Sequence, residues 1–383
     1  MRLSRAAVIL CCLLAGALVF AACGSDSGGD DDSVSVEPLP APPKSDFPSA
    51  QGLTLGELLE TETDGPADVV VSPASMVFYA GQNRYSFGVF EKDRTQIPDA
   101  EVALYFAKVP DADAVNLGVE KGASNAGAEG EASATPAEAD EIAGTGGEAD
   151  SEPAPKNLAE ALDQPAVGPF TASVDSLVTD AAFRAQTTSN DPDAALSVYT
   201  TQINFPSNGE WRIAALIKDG EEITTTLLPS ALVGQFTEVP AVGDQAKPID
   251  TPTADDVGGK LEEITTRVPP DSQNAESFAD VVGKKPAVLL FATPQFCMSR
   301  VCGPVVDVAE QVKEEYGDRV AFVHMEIFND NDPGKGVRPQ VKAFNLPSEP
   351  WLFVTDSGGK ITTALEGAFG LQELTQAVDE VAG

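Results

Sequence analysis

Apolar and polar positions alternate with period two in two separate stretches of the chain. Tyr85, Phe87 and Val89 alternate with Arg84, Ser86 and Gly88, and Val102, Leu104 and Phe106 repeat the pattern. Successive strand side chains point to opposite faces, so this spacing predicts half-buried strands with turns at Gly81-Gln82-Asn83 and Pro98-Asp99. A second group is predicted over residues 199–205, 211–217 and 222–227, with turns at Pro206-Ser207-Asn208-Gly209 and Lys218-Asp219-Gly220-Glu221. Each group alone is too small for a stable sandwich, whereas together they supply about seven strands. One β-sandwich over residues 67–239 is the favoured reading, and two small separate domains are the alternative.

The pattern changes after Pro286. Ala287-Val288-Leu289-Leu290-Phe291-Ala292 is a continuous apolar run of strand length, as expected for a strand covered on both faces. A loop of Thr293-Pro294-Gln295-Phe296 leads to Cys297-Met298-Ser299-Arg300-Val301-Cys302. Val305, Val306, Val308, Ala309 and Val312 then recur at helical spacing up to Gly317, a C-cap. A strand over 320–327, a short helix over 340–344, a strand after Pro350 and a hairpin through Gly358-Gly359 follow. Leu371, Leu374, Val378 and Val381 mark a last amphipathic helix.

Strand, cysteine loop, helix, strand, helix, hairpin and helix resemble the thioredoxin family in order. The match rests on the strand ending in Phe291, the cysteine pair opening a helix, Glu315-Tyr316-Gly317 closing it, and Pro350 eight residues before Gly358. The resemblance implies an α/β thioredoxin-like domain over 274–383, a central sheet flanked by helices, and a cis Glu349-Pro350 peptide beside the cysteines. It also implies that Cys297 attacks and Cys302 resolves. This chain departs from the family in three ways. Four residues separate its cysteines instead of two, Phe296 replaces the usual Trp, and the apolar strand lacks the family's buried Asp. Further upstream, Phe205-Pro206-Ser207-Asn208-Gly209-Glu210-Trp211 is similar to the late strands of immunoglobulin-like exported domains. That resemblance implies an Ig-like sandwich with structural or partner-binding use.

Composition divides the chain between these parts. Residues 118–156 hold Val119 and Ile142 as their only large aliphatics and have no aromatic residue. Such a segment cannot offset its ordering entropy and is predicted to be a disordered insertion. Residues 240–273 are rich in Pro, Asp and Thr and are predicted to be a linker, with Leu261 and Ile264 able to pin it to a neighbour. At the amino terminus, Arg2 and Arg5 precede an apolar and small-residue run over 6–22, predicted to be a signal peptide over 1–22. Phe20-Ala21-Ala22-Cys23 resembles a bacterial lipobox, with Phe20 where the family prefers Leu, and implies lipidation of Cys23. An ordinary signal peptide or an uncleaved anchor is the alternative. Residues 23–66 are predicted to be a flexible tether, including the solvated Asp30-Asp31-Asp32 run.

Charge narrows the chemistry. Lys and Arg number 24 against 60 Asp and Glu, a formal charge of −36, so nucleic acid is not an expected partner. The single histidine, His324, disfavours His-rich metal catalysis and most Ser-His-Asp triads, and as a lone imidazole on a strand it is expected to be structural. With Cys11 and Cys12 in the leader and Cys23 acylated, Cys297 and Cys302 are the remaining thiols. In an exported protein such a pair is a disulfide or dithiol. Arg300 can supply a cation that favours a thiolate, Glu349 works against it, and Phe296 and Pro350 shape the site.

The predicted activity is thiol–disulfide exchange with exported proteins carrying thiols or disulfides, at the outer face of the cell membrane, with no cofactor and no metal. Two alternatives stay open. One is a cell-surface binding protein with a static structural disulfide. The other is a Cu(I) chaperone of the Sco type, since two thiolates favour Cu(I). A peroxidase has only the faint echo of Thr293-Pro294 in its favour.

Overall fold

Alternating patterns build the first two of three sheets. The computed structural model describes residues 35–110 and 156–383. The leader, Cys23, the Asp30–Asp32 run and the insertion at 118–156, apart from Lys156, lie outside the described residues. A short helix, α1 (Leu55–Thr61), precedes β1 (Gly65–Pro66), β2 (Val69–Pro73), β3 (Gly81–Glu91) and β4 (Glu101–Lys108). After α2 (Lys156–Leu162) come β5 (Val167–Thr171), β6 (Ser173–Ser176), the one-turn α3 (Gln186–Ser189), β7 (Ser197–Phe205), β8 (Gly209–Asp219) and β9 (Glu222–Val233). One sheet has the order β2-β3-β7-β6 and the other β1-β9-β8-β4-β5. Their facing residues, among them Tyr85, Phe87, Leu104, Phe106, Tyr199, Phe205 and Trp211, form one buried layer. Phe78 stacks on Tyr85 at 5.4 Å, and Phe106 meets Trp211 edge to face at 5.6 Å. The Trp211 indole donates to Ser207 O at 3.0 Å, tying the turn to the strand that it opens.

Apolar runs build the third sheet. Its strands are β10 (Ala287–Phe291), β11 (Ala321–Met325), β12 (Trp351–Thr355) and β13 (Ile361–Glu366), in the order β11-β10-β12-β13. β10 pairs parallel with β11 and antiparallel with β12. Val288 and Leu290 point towards α5 (Cys302–Tyr316) and α7 (Leu371–Ala382). Ala287, Leu289 and Phe291 point the other way, towards α4 (Phe278–Val281) and α6 (Pro339–Ala343). Both faces are therefore covered, which is why the run lacks alternation. Gly317 ends α5 at φ 53°, its N–H donating to Lys313 O. The Glu349-Pro350 peptide is cis. This element order and the sheet flanked by helices are those implied by the thioredoxin resemblance.

Three expectations need correction. Gly81-Gln82-Asn83 begins β3 instead of forming a turn. The Asn83 amide explains this: it accepts from Tyr79 N at 2.8 Å and donates to Tyr79 O at 2.7 Å, moving the reversal upstream. The tether over 23–66 is anchored within its described part, residues 35–66, although much of that part is exposed. Phe47, Ala50, Leu55 and Leu58 are buried against Ala103, Tyr105, Ala214 and Leu216 on the outer face of the second sheet. A capping box holds α1 there: Glu57 N donates to Thr54 Oγ1 at 3.1 Å and Thr54 N to Glu57 Oε2 at 2.9 Å. Finally, the segment 240–273 is no free linker. Ala246, Ile249, Ile264, Thr265, Thr266 and Arg267 are buried, and Ala246 N donates to Gly359 O at 2.9 Å beside β13.

Sandwich and α/β domain consequently belong to one compact unit, Ser35–Gly383. Arg84 on β3 grips Glu373 of α7 through Nε and Nη2, at 2.5 and 2.7 Å, and donates to Glu366 O and Ala368 O. Asp175 of β6 accepts from Glu373 N at 2.9 Å, placing a sandwich carboxylate on the first turn of α7.

Candidate functional site

The site begins where β10 runs out. Phe296 N donates to Thr293 O at 3.3 Å, Arg300 N to Cys297 O at 3.4 Å, and Val305 N to Val301 O at 3.0 Å as α5 starts. Cys302 is the first residue of that helix. Cys297 and Cys302 are disulfide-bonded with Cα atoms 5.8 Å apart. The four residues between them are accommodated by an outward loop that turns at Arg300, whose φ is 59°. Exposure falls on Met298 (94%) and not on the sulfurs, since Cys297 is 9% and Cys302 0% exposed. The covering comes from the sandwich.

Residues 177–196, between β6 and β7, lie across the pair. Ala195 N donates to Arg300 O at 3.1 Å, and the Arg300 guanidinium pairs with Asp191 at 2.8 Å. A Cβ on Gly303 would come within 2.9 Å of Thr188 Oγ1, so the segment sits close on the start of α5. Deeper in, Asp307 of α5 accepts from Ala185 N at 3.0 Å and from Arg267 Nε at 2.8 Å. Burial pushes the Asp307 carboxyl above the usual range, against the pull of Arg267. A crevice about the size of one water molecule (≈ 20 Å³) is left beside Cys297, bordered by Thr187, Thr188, Asp191, Gln295 and Arg300. A wider cleft of ≈ 580 Å³ lies between β3, β13 and α7 and contains neither cysteine.

Of the residues expected to shape the site, Arg300 alone borders the crevice with Cys297, and its charge is engaged by Asp191. Phe296 instead meets Phe328 edge to face at 6.3 Å. Pro350 is buried, its carbonyl accepting from Gly367 N at 2.9 Å. Burial and then the neighbouring Glu326 push the Glu349 carboxyl upwards.

Sequence patterns gave no sign of the polar support behind the loop. Thr266 N and Oγ1 donate to buried Glu326 at 2.9 and 2.8 Å, and Gln295 N donates to Thr266 Oγ1 at 3.2 Å, tying the cysteine loop to the end of β11. His324 is a satisfied structural imidazole. Its Nδ1 faces Asp271 Oδ2 at 2.9 Å and its Nε2 faces Ala292 O at 3.1 Å, two acceptors that suit the doubly protonated ring. Both nitrogens being engaged, His324 supplies no third ligand to a copper held by the cysteines. Among the described residues no group of three or more His, Cys, Asp or Glu is placed to hold a metal.

Burial lowers the His324 pKa, but the Asp271 charge outweighs it and the net shift is upward. Asp271 is held at about 2, because the charge and hydrogen bond of His324 and two further hydrogen bonds, from Gln273 N and Thr265 Oγ1, overcome the burial that opposes its ionisation. A raised histidine contributes stability below its unfolded pKa, and that contribution fades as pH climbs through the folded value. The lowered aspartate contributes above its unfolded pKa and loses this as pH falls towards about 2. His324→Gln is therefore expected to flatten the alkaline fall in stability, which for one proton reaches at most about 1.4 kcal/mol per pH unit. Urea unfolding across a pH series measures it, and equal slopes in both proteins would refute the charged pair.

No protein-family model and no curated protein matches the chain. Among solved structures, a thiol:disulfide interchange protein of the thioredoxin family from Chlorobium tepidum TLS is similar over 37% of this chain and 100% of its own, with 19% identity and a TM-score of 0.23.

Proposed function

We propose that the chain is an exported thiol–disulfide oxidoreductase, lipid-anchored through Cys23, whose exchanging pair is Cys297 and Cys302. The observation that carries this reading is the disulfide across the start of α5 in a four-stranded sheet flanked by helices. A 15-residue helix leaves unpaired N–H groups and a partial positive charge at its first turn, which favours a thiolate there. In the reduced form, the Cys297 thiolate attacks one sulfur of a partner disulfide and expels the other as a thiolate. Cys302, as thiolate, then attacks Cys297 Sγ in the mixed disulfide and releases the second partner sulfur. Two electrons pass to the partner, and the Cys297–Cys302 bond re-forms.

Strand order supports an Ig-like reading of the first half. With β2 to β9 lettered A, B, C, C′, D, E, F and G, the sheets are ABED and C′CFG, and β1 adds a short parallel strand to G. No helix among the described residues is long and apolar enough to cross a membrane. The anchor in this proposal is the lipid.

A static structural disulfide is the second reading, favoured by the burial of both sulfurs. One set of measurements separates the two. Exchange predicts a reduction potential above about −300 mV, the range of labile bonds. It also predicts catalysed reduction of insulin disulfides, and a mixed disulfide trapped by Cys302→Ser and absent from Cys297→Ser. A bond that resists mild dithiols and traps nothing leaves the structural reading.

A further inference from the structure

We infer that residues 186–194 of the sandwich form a lid over the Cys297–Cys302 bond, latched at its tip by the Asp191–Arg300 ion pair. The inference deepens the exchange reading and rests on it for its purpose, since a lid has a use only where the bond reacts.

The segment has firm ends and a light middle. Ala185 and Ala195 are buried, Ala185 N is held by Asp307, and Ala195 N is held by Arg300 O. Between them no residue from 186 to 194 is buried, and the secondary structure is the single turn of α3. Few buried contacts mean a low free energy of local opening. The tip contact is a single ion pair whose Arg300 side chain is 52% and Asp191 side chain 19% exposed, so it is modest and partly screened by salt. Closed, this span borders the crevice beside Cys297 through Thr187, Thr188 and Asp191. In this inference that span covers the approach of an attacking thiolate to Cys297 Sγ. Arg300 lies inside the cysteine loop itself, so the latch joins the lid to the reacting loop directly.

The probe is dithiothreitol acting on the oxidised full chain. One reagent thiolate attacks Cys297 Sγ and Cys302 leaves as a thiolate. The reagent's second thiol then closes its own ring and releases Cys297, so two electrons and two protons reach the pair. Quenched alkylation follows the rate. Asp191→Asn is expected to speed reduction by about two- to fivefold, the upper range of an exposed pair. Salt at about 1 M speeds the wild type and has no such effect on the variant. The charge exchange Asp191→Arg with Arg300→Asp restores the slow rate. Replacing residues 187–193 by Gly-Ser-Gly speeds reduction by more than about tenfold, a larger gain than the latch alone gives. An unchanged rate in the shortened chain, with native circular dichroism, overturns the lid. Rapid reduction of the shortened chain with no turnover of insulin upholds the lid and removes the exchange reading, so the two fail separately.

Discussion

Arg267→Met is expected to cost about 3–5 kcal/mol of unfolding free energy near neutral pH. Arg267 and Asp307 are 5% and 1% exposed, and their Nε–Oδ1 contact is 2.8 Å. The guanidinium also donates to Pro269 O at 2.8 Å and to Phe183 O at 2.6 Å. Methionine fills much of the volume but leaves a buried carboxylate without its cation and two carbonyls without a donor. Asp307 already sits above the usual carboxyl range because of burial. Without Arg267 it rises further and takes up a proton, which limits the loss at low pH. The penalty should therefore be smaller at about pH 5 than at about pH 8, since each unit below the folded pKa relieves up to about 1.4 kcal/mol. Adding Asp307→Leu should recover only part of the stability, because it removes the unpaired buried charge but leaves Ala185 N and the Phe183 and Pro269 carbonyls without partners. Urea unfolding of both variants tests this. A loss under about 1 kcal/mol at both pH values would class the pair with exposed salt bridges and sink the argument.

The same contact shows how the parts of the chain are fixed. Arg267 comes from the supposed linker, Asp307 from the helix that begins with Cys302, and Phe183 and Ala185 from the sandwich segment over the disulfide. One buried cation thus joins three stretches that composition alone separates. Unpinning it should loosen the base of the lid as well as the fold, so Arg267→Met should also speed reduction by dithiothreitol.

Legibility in the sequence follows the range of the interactions. The run from Ala287 to Ala292, the cysteine at a helix start and the Gly317 cap are local patterns, each readable from a few neighbouring residues. Thr54 and Glu57 are equally local, since a capping box ahead of Leu55, Leu58 and Leu59 marks α1, yet their Pro- and Ser-rich surroundings hide them. Arg267, Asp271 and Glu326 leave no such trace. Their partners Asp307, His324 and Thr266 lie 40, 53 and 60 residues away, so no periodicity connects them. Residues 240–273 are held by scattered anchors such as Ile249 and Ile264 and by backbone hydrogen bonds, a mode that looks like a linker in composition. The cover over the cysteines is hidden for the same reason, because it depends on Asp191 meeting Arg300 across 109 residues.

At the seam between the sandwich and the α/β domain, Gly367→Ala should rank with Arg267→Met in its effect. Gly367 follows β13 at φ 75°, and a Cβ there would lie 2.3 Å from Ala74 O. That oxygen is backbone, so no rotamer change relieves the overlap. Its surroundings are bonded as well: Glu366 accepts from Met76 N and Val77 N, each at 2.9 Å, and Ser75 and Ser86 share a 2.6 Å hydrogen bond. The left-handed backbone alone costs an L-residue about 1–2 kcal/mol. Overpacking a fixed seam adds about 1–3 kcal/mol, so the expected loss is about 2–5 kcal/mol. Gly52→Ala provides the comparison, with φ 83° and open space around its Cβ, and it should show the backbone part only. Urea unfolding of the two variants isolates the seam by difference. Equal losses would mean that the two halves can part at Ala74 without resistance.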